Sequence, residues 1–125
     1  MEPDNAWAYD DLAVALLGLR RFEEAENASR QAVRLSDGKY AMMHFHLGSA
    51  YFSLENWEFA EQSFQKAAEI DTHEPASAYN VALCYVRLSY FRDAEHWYEE
   101  YLRRRPDAPD KSDILQEITR LKALY

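Results

Sequence analysis

The chain is poor in cysteine, glycine and long apolar runs, and each shortage excludes a class of protein. Cys84 is the only cysteine among 125 residues, so no internal disulfide can form and a disulfide-stapled secreted scaffold is excluded. Three glycines are too few for a glycine-rich phosphate loop. The uncharged stretch from Ala41 to Leu54 is shorter than the roughly 20 residues of a membrane-spanning helix. We therefore expect no membrane span, and a cytoplasmic location unless an upstream targeting segment has been removed.

Positive charge is also scarce, because 14 Lys and Arg residues face 22 Asp and Glu residues, for a net charge of −8. Residues 1–40 carry −3 and residues 41–74 carry −5, whereas residues 75–108 and 109–125 each sum to zero. A nucleic-acid-binding domain usually carries a basic stripe, so we expect no nucleic-acid partner. The acidic field of the first two-thirds favours basic partners, mainly through faster encounter.

The polar residues do not form a pattern typical of catalysis or metal binding. His44 and His46 are two positions apart, which on a helix turns them about 200° away from each other, so they cannot chelate one metal together. The segment from His73 to Pro75 lacks the second His of a zinc-protease helix. Cys84 is interpreted as a small buried residue, with a reactive thiol as the alternative. We expect no enzymatic activity, no cofactor and no metal.

What the sequence does contain is apolar residues at the 3.6-residue period of an α-helix. Asp4 or Asn5 could cap the first helix, and Pro106 ends the sixth, because proline disfavours helix at the preceding residue. No segment predicts a β-strand. The predicted helices cover residues 6–19, 22 to about 36, 41–54, 57–70, 75–88, 91–104 and about 110–124.

Equivalent residues recur along this helical pattern at a nearly constant interval. Phe22, Trp57 and Phe91 begin the second helices of three pairs, 35 and then 34 residues apart. Small residues recur where paired helices approach closely, and an aromatic residue fills the space at each bend. Other sets with the same spacing are Leu12, Leu47 and Val81; Ala13, Gly48 and Ala82; and Ala25, Ala60 and Ala94.

This pattern resembles the tetratricopeptide repeat, in which an aromatic residue, Leu-Gly, Tyr, Ala, Phe and Pro follow in order. The first repeat departs most, with Leu16 in place of Tyr and Ser29 in place of an aromatic residue. The resemblance covers nearly the whole chain. The middle repeat matches at His44, Leu47-Gly48, Tyr51, Ala60 and Phe64, and the third at Val81-Ala82, Tyr85, Ala94, Tyr98 and Pro106.

The resemblance implies an all-α fold, an α-solenoid of three antiparallel helical hairpins in a right-handed superhelix with a C-terminal capping helix. We expect a single domain over residues 1–125, with repeats at about 6–39, 41–74 and 75–108 and a cap at about 110–124. The segment from Glu2 to Asn5 is interpreted as the closing turn of a preceding repeat, which predicts a fragment of a longer array. The apolar face of the cap comprises Ile114, Leu115, Ile118, Leu121 and Leu124.

The first helix of each pair carries a second apolar face that stacking of the hairpins does not require. In the family this face lines a concave groove, and a contiguous apolar surface often marks an interaction site. The alternative is that some of these residues complete the core or are covered by a missing upstream repeat. If they complete the core, Phe45→Glu with Tyr79→Glu would abolish folding. The predicted groove comprises Trp7, Asp10, Val14, Leu17, Met42, Phe45, His46, Ser49, Phe52, Tyr79, Asn80, Leu83, Val86 and Arg87.

The resemblance also implies one specific ligand site to test, the carboxylate clamp for the acidic C-terminal tail of heat-shock chaperones. The clamp requires Lys and Asn where this chain has Asp10 and Val14, and Asn where it has His46. In the third repeat it requires Lys and Arg where Ala76 and Asn80 stand. None of these positions matches, and the charge of Asp10 would repel an acidic tail.

The sequence therefore predicts a protein-interaction module or scaffold rather than a catalyst. Its partner is expected to be a peptide or an amphipathic helix with apolar anchors and basic flanks. One alternative is a structural segment that self-associates end to end into a homo-oligomer. Another is an adaptor similar to a chaperone or co-chaperone that lacks the carboxylate clamp.

Overall fold

The computed structural model describes the backbone of residues 3–125 and the side chains from residue 5 onward. Within that range the chain is all α-helical and contains no β-strand. Its seven helices are α1 (Pro3–Gly18), α2 (Phe22–Leu35), α3 (Ala41–Ser53), α4 (Trp57–Ile70), α5 (Pro75–Arg87), α6 (Phe91–Arg104) and α7 (Lys111–Lys122).

The predicted boundaries of α2 to α7 differ from the observed ones by no more than two residues. The prediction for the N-terminal segment was wrong, because Pro3 to Asn5 open α1 and do not form a closing turn. Proline suits the first position of a helix, where its missing N–H has no partner to lose, and Pro75 opens α5 in the same way. Asp4 and Asn5 therefore do not cap α1, and Glu2 lies outside the described residues.

Each hairpin turns through one residue in the left-handed backbone region. These residues are Arg20, Glu55 and Ser89, with φ of 61°, 60° and 62°, and they keep the 35- and 34-residue spacing of the repeat. The following N–H donates to a carbonyl five residues earlier, as from Tyr90 to Tyr85 at 2.8 Å. This bond is typical of a Schellman helix end, where glycine is the usual residue. The repeat thus ends three helices identically without using glycine.

The helices pack in chain order, each on the next, and α1 also contacts α3. Phe64 of α4 is buried against Gly48 of α3 and shares a core cluster with Val81 and Cys84 of α5. The Tyr85 hydroxyl of α5 donates to the Glu61 carboxylate of α4 at 2.6 Å. The second helix of one repeat is therefore packed against the first helix of the next.

Equivalent stacking residues are buried to very different extents in the first repeat and in the other two. Leu12 is 47% exposed, whereas Leu47 is 8% exposed and Val81 is fully buried. The reason is that α2 packs on α3 and α4 packs on α5, whereas no preceding helix among residues 3–125 packs on α1. Tyr9 is exposed for the same reason.

Helix α7 covers the third hairpin through Ile114, Ile118 and Leu121, which are all buried. The prediction that Leu115 and Leu124 share this covered face was wrong, since both are about half exposed. Leu124 follows the end of the helix at Lys122, so the helical period no longer places its side chain.

Arg104 ties the end of α6 to the loop between α4 and α5. Its guanidinium donates to the backbone carbonyls of Ala68, Asp71 and Glu74 at 2.9 to 3.1 Å and pairs with the Glu100 carboxylate at 2.7 Å. Because these carbonyls lie at and beyond the end of α4, the arginine satisfies acceptors that the helix itself leaves open. This position holds Leu35 and Ile70 in the earlier repeats.

Candidate functional site

The predicted groove lies on α1, α3 and α5, and side-chain contacts join neighbouring helices on this face. The Asp10 carboxylate of α1 and the His46 ring of α3 are hydrogen bonded, with Oδ1 and Nδ1 2.8 Å apart. The Trp7 ring of α1 contacts the ring of Tyr40, which precedes α3, at a centroid distance of 4.8 Å. A cavity lies between helices α3 and α5.

Asp10 belongs to the predicted groove, but its side chain is buried and not exposed on this face. It is 3% exposed, and His46 covers it in part. A buried carboxylate needs a hydrogen-bonding partner, because burying a charge without one costs on the order of several kcal/mol. Asp10 therefore lies beneath this face, where its hydrogen bond fixes the orientation of the His46 ring.

Three predicted residues present apolar atoms to solvent on this face. Met42 is 55% exposed, Val14 is 45% exposed and Trp7 is 37% exposed. Burying such side chains in a complex removes apolar surface from water, which yields about 25 cal/mol for each Å². These are the residues of the predicted set that have the most apolar contact to offer.

The larger group of predicted residues is half-buried and serves the core as well. The Phe45 ring packs edge-on against Phe64 at 5.4 Å, and the Tyr79 ring against Tyr101 at 5.3 Å. Polar substitution at these positions would disturb the core of a repeat. The residues in this half-buried group are Leu17, Phe45, His46, Ser49, Phe52, Tyr79, Asn80, Leu83 and Val86.

The polar groups of the predicted site are held in different ways. The Ser49 hydroxyl donates to the Phe45 carbonyl at 3.1 Å, so it satisfies its own helix. The exposed Arg87 guanidinium lies over the Trp57 ring at 5.2 Å, a favourable cation–π arrangement. Asn80 lies beside a cleft of about 450 Å³ that is also lined by Arg105 and Asp110.

A cavity of about 300 Å³ opens between the first turns of α3 and α5 and the loop that precedes α5. Its apolar wall includes Met42 and Phe45, and its polar edge comprises Asp71 and Glu74. Neither carboxylate was among the predicted site residues, although an acidic residue directly before Pro75 is a recognisable helix-start signal. The lining residues are Ala41, Met42, Phe45, Asp71, Glu74 and Ser77.

Cys84, the candidate for a reactive thiol, does not line this cavity. Cys84 is buried between α4 and α5, and burial raises the pKa of its thiol to about 12. A thiol with such a pKa is protonated at neutral pH and is a poor nucleophile. No group of three or more potential metal ligands occurs among residues 3–125. The groups on the predicted groove face offer apolar contact, hydrogen bonding and charge pairing.

Every helix within residues 3–125 is too short or too polar to span a membrane.

Two curated relatives match this sequence over limited parts of their own length. Human tetratricopeptide repeat protein 13 is 26% identical over 120 residues, which cover 96% of this chain and 14% of that protein. Mouse DnaJ homolog subfamily C member 7 is 41% identical over 78 residues, which cover 62% of this chain and 15% of that protein. The chain thus spans about one seventh of each relative's length.

The fold is similar to that of the first tetratricopeptide domain of Spaghetti (RPAP3), solved bound to the HSP90 peptide SRMEEVD. The TM-score is 0.88, and the likeness covers 98% of this chain and 97% of that chain at 17% identity. The family described as tetratricopeptide repeat matches residues 11–75, which are more than half of the sequence. This chain therefore belongs to the tetratricopeptide repeat family.

Proposed function

We propose that this domain is a protein-interaction module that binds a peptide or helix of a partner in the groove formed by α1, α3 and α5. The observation that carries the proposal is the exposure of Met42 and Val14 on the helix face that hairpin stacking does not use. Apolar side chains left exposed on adjacent helices favour a partner that supplies matching apolar anchors. In this proposal the domain binds and positions its partner and catalyses no reaction.

The chemistry of the groove favours a partner without an acidic tail. The similar Spaghetti domain is bound to a peptide that ends in Glu-Glu-Val-Asp. In this chain Asp10 is paired with His46, and segment 41–74 carries −5. A run of carboxylates entering this field would be repelled. The proposed ligand is therefore an apolar segment with basic flanks, and any adaptor role would not depend on a carboxylate clamp.

The test compares capture of partner proteins by wild type and by Val14→Glu with Met42→Glu. Both side chains are about half exposed, so the charges should not enter the core. This makes the pair a cleaner probe than Phe45→Glu with Tyr79→Glu, whose rings pack on Phe64 and Tyr101. Loss of the captured partner with unchanged helicity and thermal midpoint is the expected result.

The matched control is Leu115→Glu on α7, where the side chain is 48% exposed and away from the groove. This variant should capture the partner as wild type does. Retention of the partner by the Val14 and Met42 variant would contradict the proposal, as would equal loss in the Leu115 variant.

A second candidate function rests on the exposed first-repeat face. Tyr9 and Leu12 occupy positions that are covered in the later repeats, so a second copy of the chain could stack there and extend the array end to end. Light scattering over a wide concentration range separates the two functions. Growth of the mean mass with concentration, abolished by Leu12→Glu, would favour assembly, whereas a constant monomer mass would exclude it.

A further inference from the structure

We propose that the cavity between α3 and α5 is the anchor pocket of the groove, and that it selects a bulky aliphatic or thioether side chain lying next to Lys or Arg in the partner. This inference rests on the proposed function and specifies the ligand of the same groove. The apolar side chain would pack on Met42 and Phe45, and the neighbouring cation would pair with Asp71. The occupant is thus a peptide segment of a partner protein, of apolar-basic sequence.

The size and composition of the cavity define the anchor. Its volume of about 300 Å³ lies at the lower end of the range for small-ligand sites, which suits one amino-acid side chain. Phe45 forms a firm wall, because its ring packs on the buried ring of Phe64. Met42 is exposed and unbranched, and a methionine can adjust its shape to anchors of different outline.

Charge at the mouth decides which residue flanks the anchor. Asp71 and Glu74 contribute two full negative charges. Among residues 5–125, no Lys or Arg side chain forms an ion pair with either carboxylate. The N-termini of α3 and α5 oppose them with about half a positive charge each. Arg104 lies beneath the same loop, but its charge is balanced by Glu100. The remaining charge at the mouth is therefore negative, and a cation is favoured there.

The two carboxylates are not equally free to receive that cation. Both Glu74 oxygens are engaged, since they accept from the N–H groups of Ala76 and Ser77 at 2.7 and 2.8 Å and cap α5. Asp71 accepts one N–H, from His73 at 3.2 Å. Its side chain is exposed and its second oxygen has no described partner. Asp71 is therefore the group that would pair with the partner's Lys or Arg.

The test is a selection from a random 12-residue peptide library displayed on phage, with the whole 125-residue chain as bait. The strongest enriched peptides are then synthesised and their affinities measured for each variant. We expect them to share Leu, Met or Ile beside Lys or Arg. Met42→Glu should weaken binding at least tenfold, because a charge would enter the apolar wall.

Asp71→Asn isolates the charge contribution, because asparagine keeps an oxygen for the His73 N–H. We expect a two- to fivefold loss of affinity, about the size of an exposed ion pair, and loss of the preference for a basic neighbour in a repeated selection. The control is Glu99→Gln, which removes one negative charge at an exposed position of α6 that does not line the cavity. It should bind the peptides as wild type does.

The outcomes separate this inference from the proposed function. Enriched peptides that depend on Val14 but not on Met42 or Asp71 would overturn the pocket assignment and leave the groove function standing. Peptides with acidic neighbours would also overturn it, as would self-association of the chain that Met42→Glu abolishes. A selection that yields no peptide sensitive to Val14 or Met42 would contradict the proposed function together with the pocket.

Discussion

The ring of Phe64 lies 2.8 Å from the position that a Cβ atom on Gly48 would occupy. The other two repeats have alanine at the Gly48 position, in Ala13 and Ala82, and they pair it with Ser29 and Tyr98 in place of Phe64. The middle hairpin therefore closes on a glycine and a phenylalanine that fit as a pair.

This contact predicts that Gly48→Ala is destabilising although alanine is the better helix former. The added methyl group would force the buried ring to move, and overpacking of a core costs about 1–3 kcal/mol of unfolding free energy. Urea denaturation measures the change. Gly18→Ala is the matched control, because beyond its chain neighbours and the backbone of its own helix no atom lies within 4 Å of the added Cβ, and it should be neutral or stabilising by up to about 1 kcal/mol. Equal effects of the two substitutions would contradict the packing account.

The left-handed turn residues predict a stabilising substitution. Ser89 has φ of 62°, a conformation that costs a non-glycine residue about 1–2 kcal/mol. Ser89→Gly should therefore raise the free energy of unfolding by up to about 1 kcal/mol, after the larger chain entropy of glycine is subtracted. Ser53→Gly, at the last residue of α3, should instead lower it. A loss of stability in Ser89→Gly would show that its backbone is not strained.

The uneven burial of equivalent leucines predicts uneven costs of truncation. Leu47→Ala should lower the unfolding free energy by about 2–5 kcal/mol, the usual range for a buried leucine. Leu12→Ala should cost less than about 1 kcal/mol, since its side chain already contacts water. Thermal and urea unfolding of both variants provides the comparison. Similar costs would mean that α1 is covered in solution by a second molecule, as in end-to-end assembly.

The buried thiol predicts both chemical inertness and a dependence of stability on pH. Because burial raises the pKa of Cys84 to about 12, native protein should resist a thiol reagent at pH 8, and urea-unfolded protein should react at once. The neutral thiol is favoured in the fold, so its stabilising contribution is complete below the unfolded pKa of about 8.5. It is then lost as pH rises toward about 12.

Cys84→Ala is the control for this pH dependence, since Ala50 occupies the equivalent position in the second repeat. The stability difference between wild type and variant should shrink as the pH is raised above about 8.5. Rapid labelling of the native wild type at pH 8 would contradict the burial of the thiol.

The helices were predictable because their signals are local. Apolar spacing and the residues at Pro75 and Pro106 locate most helix ends within two residues. The same local evidence gave the wrong assignment for Pro3 to Asn5, since a Pro-Asp-Asn segment fits both a turn and a helix start. The left-handed backbone of Ser89 was not predicted, because glycine is the residue usually found in that conformation at a helix end.

The site was harder to predict than the fold because burial depends on residues distant in sequence. Asp10 has the spacing of an exposed groove residue, yet His46, 36 positions later, covers it. Asp71 and Glu74 lie outside the helical pattern that defined the groove, and Arg104, from another repeat, holds their loop in place. Each of these arrangements arises only when two neighbouring repeats pack together.

The most direct test of the proposed binding face places a photoreactive amino acid at single exposed positions of the full chain. Met42 on α3 would report on the groove, and Phe59 on α4, which is similarly exposed, would report on the second helix of the same hairpin. Both proteins are irradiated with the peptides or partner captured by wild type. The account predicts a strong crosslink from position 42 and none from position 59. A crosslink from position 59 alone would place the partner off the groove and contradict the central claim.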